Sequence, residues 1–193
     1  IIREKLGDRV AVFGMSEGPF TAAANLIGTD RMMRATIRDP KLVASVLDVT
    51  TEAVAQAVRF AFAHGADYYC IAEPTSGTEL LSPSKWETFV GPALKRVAGR
   101  ANGPVVLHIC GNADRILPVM CDTGVAGISI EEKTSLAEAL RIAHPKGVNV
   151  FGNVSAASTL FMGTPEDCYQ ESIQVLSAGI DFLCPGCGIG PRS

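Results

Sequence analysis

Basic charge is in short supply in this chain. Lysine and arginine number 17 against 20 aspartates and glutamates, a net charge of −3, and the pI is about 5.6. A nucleic-acid backbone would find no electrostatic footprint here, which excludes it as the expected partner. Long apolar runs are missing too. Arg59, His64, Asp67 and scattered glycines interrupt the longest stretches well short of the roughly 18 to 20 residues that a membrane span needs. No signal-peptide pattern opens the sequence and no low-complexity linker divides it,. Neither G-x-G-x-x-G nor G-x-x-x-x-G-K-[ST] opens a helix, so a doubly wound nucleotide-binding sheet lacks its usual phosphate loop. The six cysteines are even in number but show none of the spacing of a small disulfide-stapled domain, which points to a reducing, cytoplasmic setting.

What is present describes an ordered body. With 47% hydrophobic and 19% charged residues over 193 positions, the chain is long enough for one sizeable core and is expected to form a single domain, 1–193. Strand-like runs alternate with helix-like segments. The strand candidates are RVAVFGM, ADYYCIA, PVVLHIC, VAGISIE, VNVFGNV and IDFLC, several apolar on both faces, as in a parallel sheet covered by helices. Asp39-Pro40, Ser82-Pro83 and Thr164-Pro165 each set a capping side chain before a proline at the first helical position, and Ser135 with Glu138 predicts a capping box,. Gly65, Gly147 and Gly179 suit left-handed helix ends,. Six strand–helix units in this length amount to about three-quarters of a barrel that normally takes roughly 250 residues. The expected class is α/β, a (β/α)8 TIM barrel present as an incomplete fragment with about six strands. The opening at Ile1 and the stop at Ser193 directly after a glycine-rich turn also lead to the expectation of a fragment.

The stretch LHICGN, 107–112, concentrates chemistry. If PVVLHIC is a strand, its period of two puts His108 and Cys110 on one face, near the C-terminal end where barrel enzymes place their active groups. Imidazole and thiolate together suit zinc rather than the oxygen-seeking magnesium or calcium. The last strand adds Cys184 and Cys187 around a Pro-Gly turn; one of them would complete three protein ligands and leave a fourth position open, the pattern of catalytic zinc. Residue spacing does not rank Cys184 against Cys187, and C-x-x-C also suits a redox pair. VAGISIEEK ends in two acids, and alternation turns only one of Glu131 and Glu132 inward,. Glu17, Glu73 and Asn153 each follow a strand and are candidate substrate-binding groups, with ordinary turn chemistry as the bland alternative. Cys70, Cys121 and Cys168 read as packing side chains, and His64 and His144 as helix-terminal residues.

The set GMSEGPFT, LHICGN, GISIEEK, VFGNVS and PGCGIGP resembles the uroporphyrinogen decarboxylase superfamily, over most of the chain. Within it the chain looks like the zinc-dependent methylcobamide:coenzyme M methyltransferases. The resemblance implies zinc ligation by His108, Cys110 and Cys187, which leaves Cys184 as a bystander. It also aligns Glu131 with an inward acid, a fourth ligand or base. The implied methyl donor is a methylcobamide carried by a separate corrinoid protein, and the acceptor a small thiol such as coenzyme M, with self-association left open. Members of the family begin with further early barrel elements. Two other readings are a metal-free decarboxylase acting on a porphyrinogen and a non-catalytic metal-binding or corrinoid-docking module.

Overall fold

The computed structural model describes residues 2–189. At its centre lie six parallel strands, Phe13–Glu17 (β1), Tyr68–Ala72 (β2), Val105–Ile109 (β3), Gly127–Ile130 (β4), Asn149–Val154 (β5) and Phe182–Pro185 (β6), in the order β1-β2-β3-β4-β5-β6. Sequential order with helices between neighbours is the pattern of a barrel wall, not of a doubly wound sheet, whose order reverses at a switch point. Each expected strand is present. The first begins later than RVAVFGM suggests, because Asp67 claims Val12: its carboxylate accepts Val12 N–H at 2.6 Å and its own N–H donates to Val12 O at 2.7 Å. The ladder therefore starts with Phe13 opposite Tyr68.

The two faces of the sheet are built from alternate residues. Ile71, Leu107, Ile109, Ile128, Ile130 and Val150 point outward and are at most 1% exposed, packed beneath the helices. Helix Pro40–Ala63 supplies Val43, Leu47, Val54 and Val58 to this layer, a helical spacing of four, seven and four that keeps them on one stripe. Burying each such aliphatic side chain is worth about 1.5 to 3 kcal/mol. Asp39, Ser82 and Thr164 cap their helices as expected, with Thr164 and Asp167 forming a full capping box. Ser135 caps Glu138 N–H, but the reciprocal half of its box is absent. Asp114 already accepts Ser135 N–H at 2.8 Å, and Glu138 turns instead to Arg141. Gly65, Gly147 and Gly179 adopt the expected positive φ.

The inner face curls around a cavity of about 460 Å³ lined from all six strands, among them Phe13, Tyr68, Val106, Ser129, Phe151 and Pro185. Its floor is aromatic: Phe13 stacks on Tyr68 at 5.1 Å and Phe151 on Phe182 at 4.2 Å. Among the described residues β1 and β6 each pair on one side only, and Phe13, Met15 and Phe182 stand about half exposed at these ends. No described helix is long and apolar enough to cross a membrane.

Candidate metal centre at the strand ends

Strand alternation puts Val106, His108 and Cys110 on the cavity side of β3, and Ser129 on the cavity side of β4 opposite His108. His108 is 8% exposed. Its Nδ1 lies 3.1 Å from Ser129 Oγ, and its Nε2 lies 3.3 Å from Cys110 Sγ. With the proton on Nδ1 and Ser129 Oγ accepting it, the Nε2 lone pair is directed at Cys110. Burial lowers the His108 pKa, against the nearby Glu131 charge and the Ser129 contact that raise it, so the ring is neutral at neutral pH.

Cys187 arrives from the other end of the sheet. Beyond β6 the chain turns at Gly186, whose N–H donates to Val154 O at 2.7 Å. A Cβ on Gly186 would lie 3.0 Å from Glu131 Cα and 3.2 Å from Glu132 N, so a bare backbone lets this turn press against the end of β4. Cys187 Sγ is thereby 3.8 Å from Cys110 Sγ. One donor atom from each of His108, Cys110 and Cys187 lies within 4.8 Å of the other two. Ligands around one tetrahedral zinc, with bonds near 2.0 to 2.3 Å, stand about 3.5 to 4 Å apart. The spacing and the soft donor set both fit such an ion. Burial first, then the Cys187 sulfur and the charges of Glu131 and Glu79, push the Cys110 thiol up to about 12. Without a cation the thiol therefore holds its proton.

The remaining candidates fall in different places. Glu131, 9% exposed, continues the inward parity of Ser129 and sits 3.9 Å from Lys133 Nζ; its carboxylate is outside the three-residue donor group. Glu132 turns outward and accepts from Ser155 Oγ at 3.1 Å. Cys184 lines the cavity below the cluster, as does Cys70, whose thiol burial pushes up to about 11. Asn153 is 7% exposed on β5, paired in register with Cys184. Glu17 does not line the cavity; at the exposed end of β1 it accepts from Asn25 Nδ2 at 2.7 Å.

Glu73 departs furthest from its expected place. It is wholly buried, its carboxylate accepting Phe20 N–H, Thr21 N–H and Thr21 Oγ1–H at 2.7 to 2.8 Å. It clasps the start of helix Pro19–Ile27 instead of lining the mouth, because the unpaired N–H groups of a helix's first turn outcompete an open cavity for a nearby carboxylate. A Cβ on Gly18 would meet this carboxylate at 2.4 Å, which is why that turn is glycine. Sequence reading missed Ser129; the parity of GISIEEK placed Ser129 inward, but only the β3–β4 register sets it against His108. Of the PGCGIGP stretch, Gly190 and Pro191 lie outside the described residues.

A second cleft, about 510 Å³, runs among Lys95, Gly99, Cys121, Asp122 and Lys146 at the opposite, N-terminal edge of the sheet. Lys146 is already paired with Asp122 there, and Cys121 is a lone thiol in its lining, outside the three-residue donor group.

Comparison with known proteins agrees with this fold. The family described as Uroporphyrinogen decarboxylase (URO-D) matches residues 1–193. A methylcobamide:CoM methyltransferase, MtaA, of Methanosarcina barkeri is 36% identical across 100% of this chain and 57% of its own length. A uroporphyrinogen decarboxylase of Parasynechococcus marenigrum is 32% identical over 89% of the chain and 52% of its own length. A solved structure described as a methyltransferase from Methanosarcina mazei superimposes with a TM-score of 0.95 at 37% identity, covering the whole chain and 57% of that protein. The chain thus spans a little over half the length of these relatives, and with its six-stranded barrel wall it belongs to the uroporphyrinogen decarboxylase family.

Proposed function

We propose that the protein is a zinc-dependent methyltransferase that moves a methyl group from a methylated corrinoid, carried by a separate protein, to a small thiol such as coenzyme M. The observation that carries this reading is the meeting of one nitrogen and two sulfur donors within 4.8 Å at the C-terminal ends of the strands. The names of the Methanosarcina relatives supply the reaction class. A metal-free decarboxylase would leave these three donors without a common purpose. All six cysteines are free of disulfides, which suits a reducing cytoplasm.

Zinc, when bound, supplies an open Lewis-acid position at which a thiol loses its proton. A free thiol with a pKa near 8.5 is only about 3% ionised at pH 7, so full ionisation is worth about 30-fold, or roughly 2 kcal/mol. The chain's own residues supply the rest through positioning. His108, neutral through burial and steered by Ser129, presents Nε2; Cys110 and Cys187 present their sulfurs. Glu131, shielded from solvent beside them, is the group to accept the released proton or to complete the donor set. The methyl–cobalt bond breaks with both electrons going to cobalt as the new carbon–sulfur bond forms.

Two measurements test this. The protein with zinc should convert methylcobalamin and 2-mercaptoethanesulfonate into the methyl thioether and a reduced cobalamin; absence of transfer to any small thiol would count decisively against the reading. Ser129→Ala should weaken zinc retention about 10- to 100-fold, as loss of a histidine's outer hydrogen-bond partner does elsewhere, read by competition with a chromophoric chelator.

A further inference from the structure

We infer that Cys110 and Cys187, whose sulfurs meet at 3.8 Å, are a reversible oxidation site: in the metal-free protein a peroxide joins them as a disulfide, and the joined pair no longer accepts zinc. The inference concerns regulation of the proposed metal centre and rests on the zinc-binding part of the reading above.

The six cysteines are all free, but their settings differ. Cys121 is buried beside the cleft at the N-terminal edge, and Cys168 donates its thiol to Thr159 O at 3.5 Å. Cys70 and Cys184 line the central cavity together with Cys110 and Cys187. Among the described residues, only Cys110 and Cys187 make a thiol–thiol contact. Both are partly exposed, so a small oxidant entering the cavity reaches them.

A disulfide holds its sulfurs about 2.05 Å apart, so this pair has to close by about 1.8 Å. Side-chain rotation and small backbone shifts supply that distance, and the chain around both residues is suited to them. Gly111 follows Cys110 with a φ of 77°. Cys187 lies between two glycines, and a Cβ on Gly188 would meet nothing within 4 Å. The other pairing that the C-P-G-C spacing offers, Cys184 with Cys187, asks more of the fold. Cys184 belongs to β6 and is held in register with Asn153.

One sulfur attacks a peroxide oxygen as its thiolate; the O–O bond breaks, hydroxide leaves with the electron pair and takes up the released proton, and a sulfenic acid remains. The second sulfur attacks the sulfenic sulfur. The S–O bond breaks, and the hydroxyl group leaves with the second thiol's proton as water. Together the two thiols give up two electrons and two protons, and hydrogen peroxide becomes two waters. A disulfide sulfur carries no thiolate charge, so of the three donors only His108 remains, too few for zinc. With both sulfurs bound to zinc, neither is free to attack.

The test treats the reduced, metal-free protein with a small excess of hydrogen peroxide and reads intact mass, peptide cross-links and zinc capacity by chelator competition. The protein should become lighter by the mass of two hydrogens and yield a Cys110–Cys187 cross-linked peptide. Its zinc capacity should fall from about one ion per chain to essentially none, and dithiothreitol should reverse all of these changes. The zinc-loaded protein should form the link at least about tenfold more slowly, and Cys184→Ser should form the same link as the unaltered chain. A Cys184–Cys187 link, oxidation of separate sulfurs without any link, or full zinc capacity after linkage would each overturn the inference and leave the zinc reading standing. Reduced protein that takes up no zinc would overturn the zinc reading, and the exclusion claimed here falls with it.

Discussion

Cys110→Ala or Cys187→Ala should reduce zinc from about one ion per chain to essentially none after passage over a desalting column, and should abolish methyl transfer. Three protein donors leave little redundancy: removal of either sulfur leaves two donors, and two do not hold zinc against buffer and chelator. Loss of a mere hydrogen-bonding partner around a metal costs about 10- to 100-fold in affinity; loss of a ligand should exceed that clearly. Cys184→Ala is the control. Its thiol lines the cavity but stays outside the donor group, so zinc content should be unchanged. Equal loss from Cys184→Ala would show that the wrong cysteine of the C-P-G-C turn has been assigned. Proton release gives an independent check. Since burial and the neighbouring sulfur push the Cys110 thiol up to about 12, zinc binding must displace protons, and apparent zinc affinity should climb with pH through the neutral range. An affinity that is flat between pH 6 and pH 8 would mean that the sulfurs are not the ligands. Elemental analysis and a pH-resolved chelator competition together decide the matter.

Glu73→Ala should destabilise the fold by about 2 to 4 kcal/mol in a denaturant titration, because it strands three buried donors at once. Phe20 N–H, Thr21 N–H and the Thr21 hydroxyl all lose the carboxylate that now accepts them. The ionisation of this group makes a second, sharper prediction. Burial raises the Glu73 carboxyl from 4.5 to about 7, against the three hydrogen bonds that pull it down. The folded state therefore keeps a proton that the unfolded glutamate has already lost at any pH between these values. Stability from this residue is fully present below pH 4.5 and is lost as pH rises through 7, by about 3 kcal/mol in all. Glu73→Gln is neutral throughout and of nearly the same shape. Against it, the unaltered protein should lose stability across that window, and the difference between the two should level off near pH 8. A constant difference from pH 4 to pH 8 would show that the Glu73 carboxyl titrates alike in the folded and unfolded states, its three donors offsetting burial.

Much of the architecture could be read from the chain alone, because it follows from local rules. The run PVVLHIC is β-branched and enters through Pro104, so it reads as the strand that becomes β3, and its period of two places His108 and Cys110 on one face,. Thr164-Pro165 and Asp39-Pro40 start helices because their side chains satisfy the first-turn N–H groups within three residues. Repetition of these units also implies parallel strands, since each helix must carry the chain back across the sheet. The barrel class, the six strands and the soft donors near one end all come from interactions that span a few residues.

What only the tertiary structure decided involves residues far apart in sequence. Cys187 lies 77 positions from Cys110, and spacing did not choose between it and Cys184; the close approach of Gly186 to the end of β4 places the Cys187 sulfur at Cys110. Ser129 became the partner of His108 through the register of two strands. Glu73 was drawn away from the mouth by the first turn of Pro19–Ile27, more than 50 residues earlier, and β1 was shortened at its start by Asp67. Alternation states which face a side chain occupies, whereas register, strand order and the competition of buried donors for one carboxylate decide what it meets there. Those are properties of the assembled sheet, since each hydrogen bond in them joins segments whose separation along the chain carries no periodic signal.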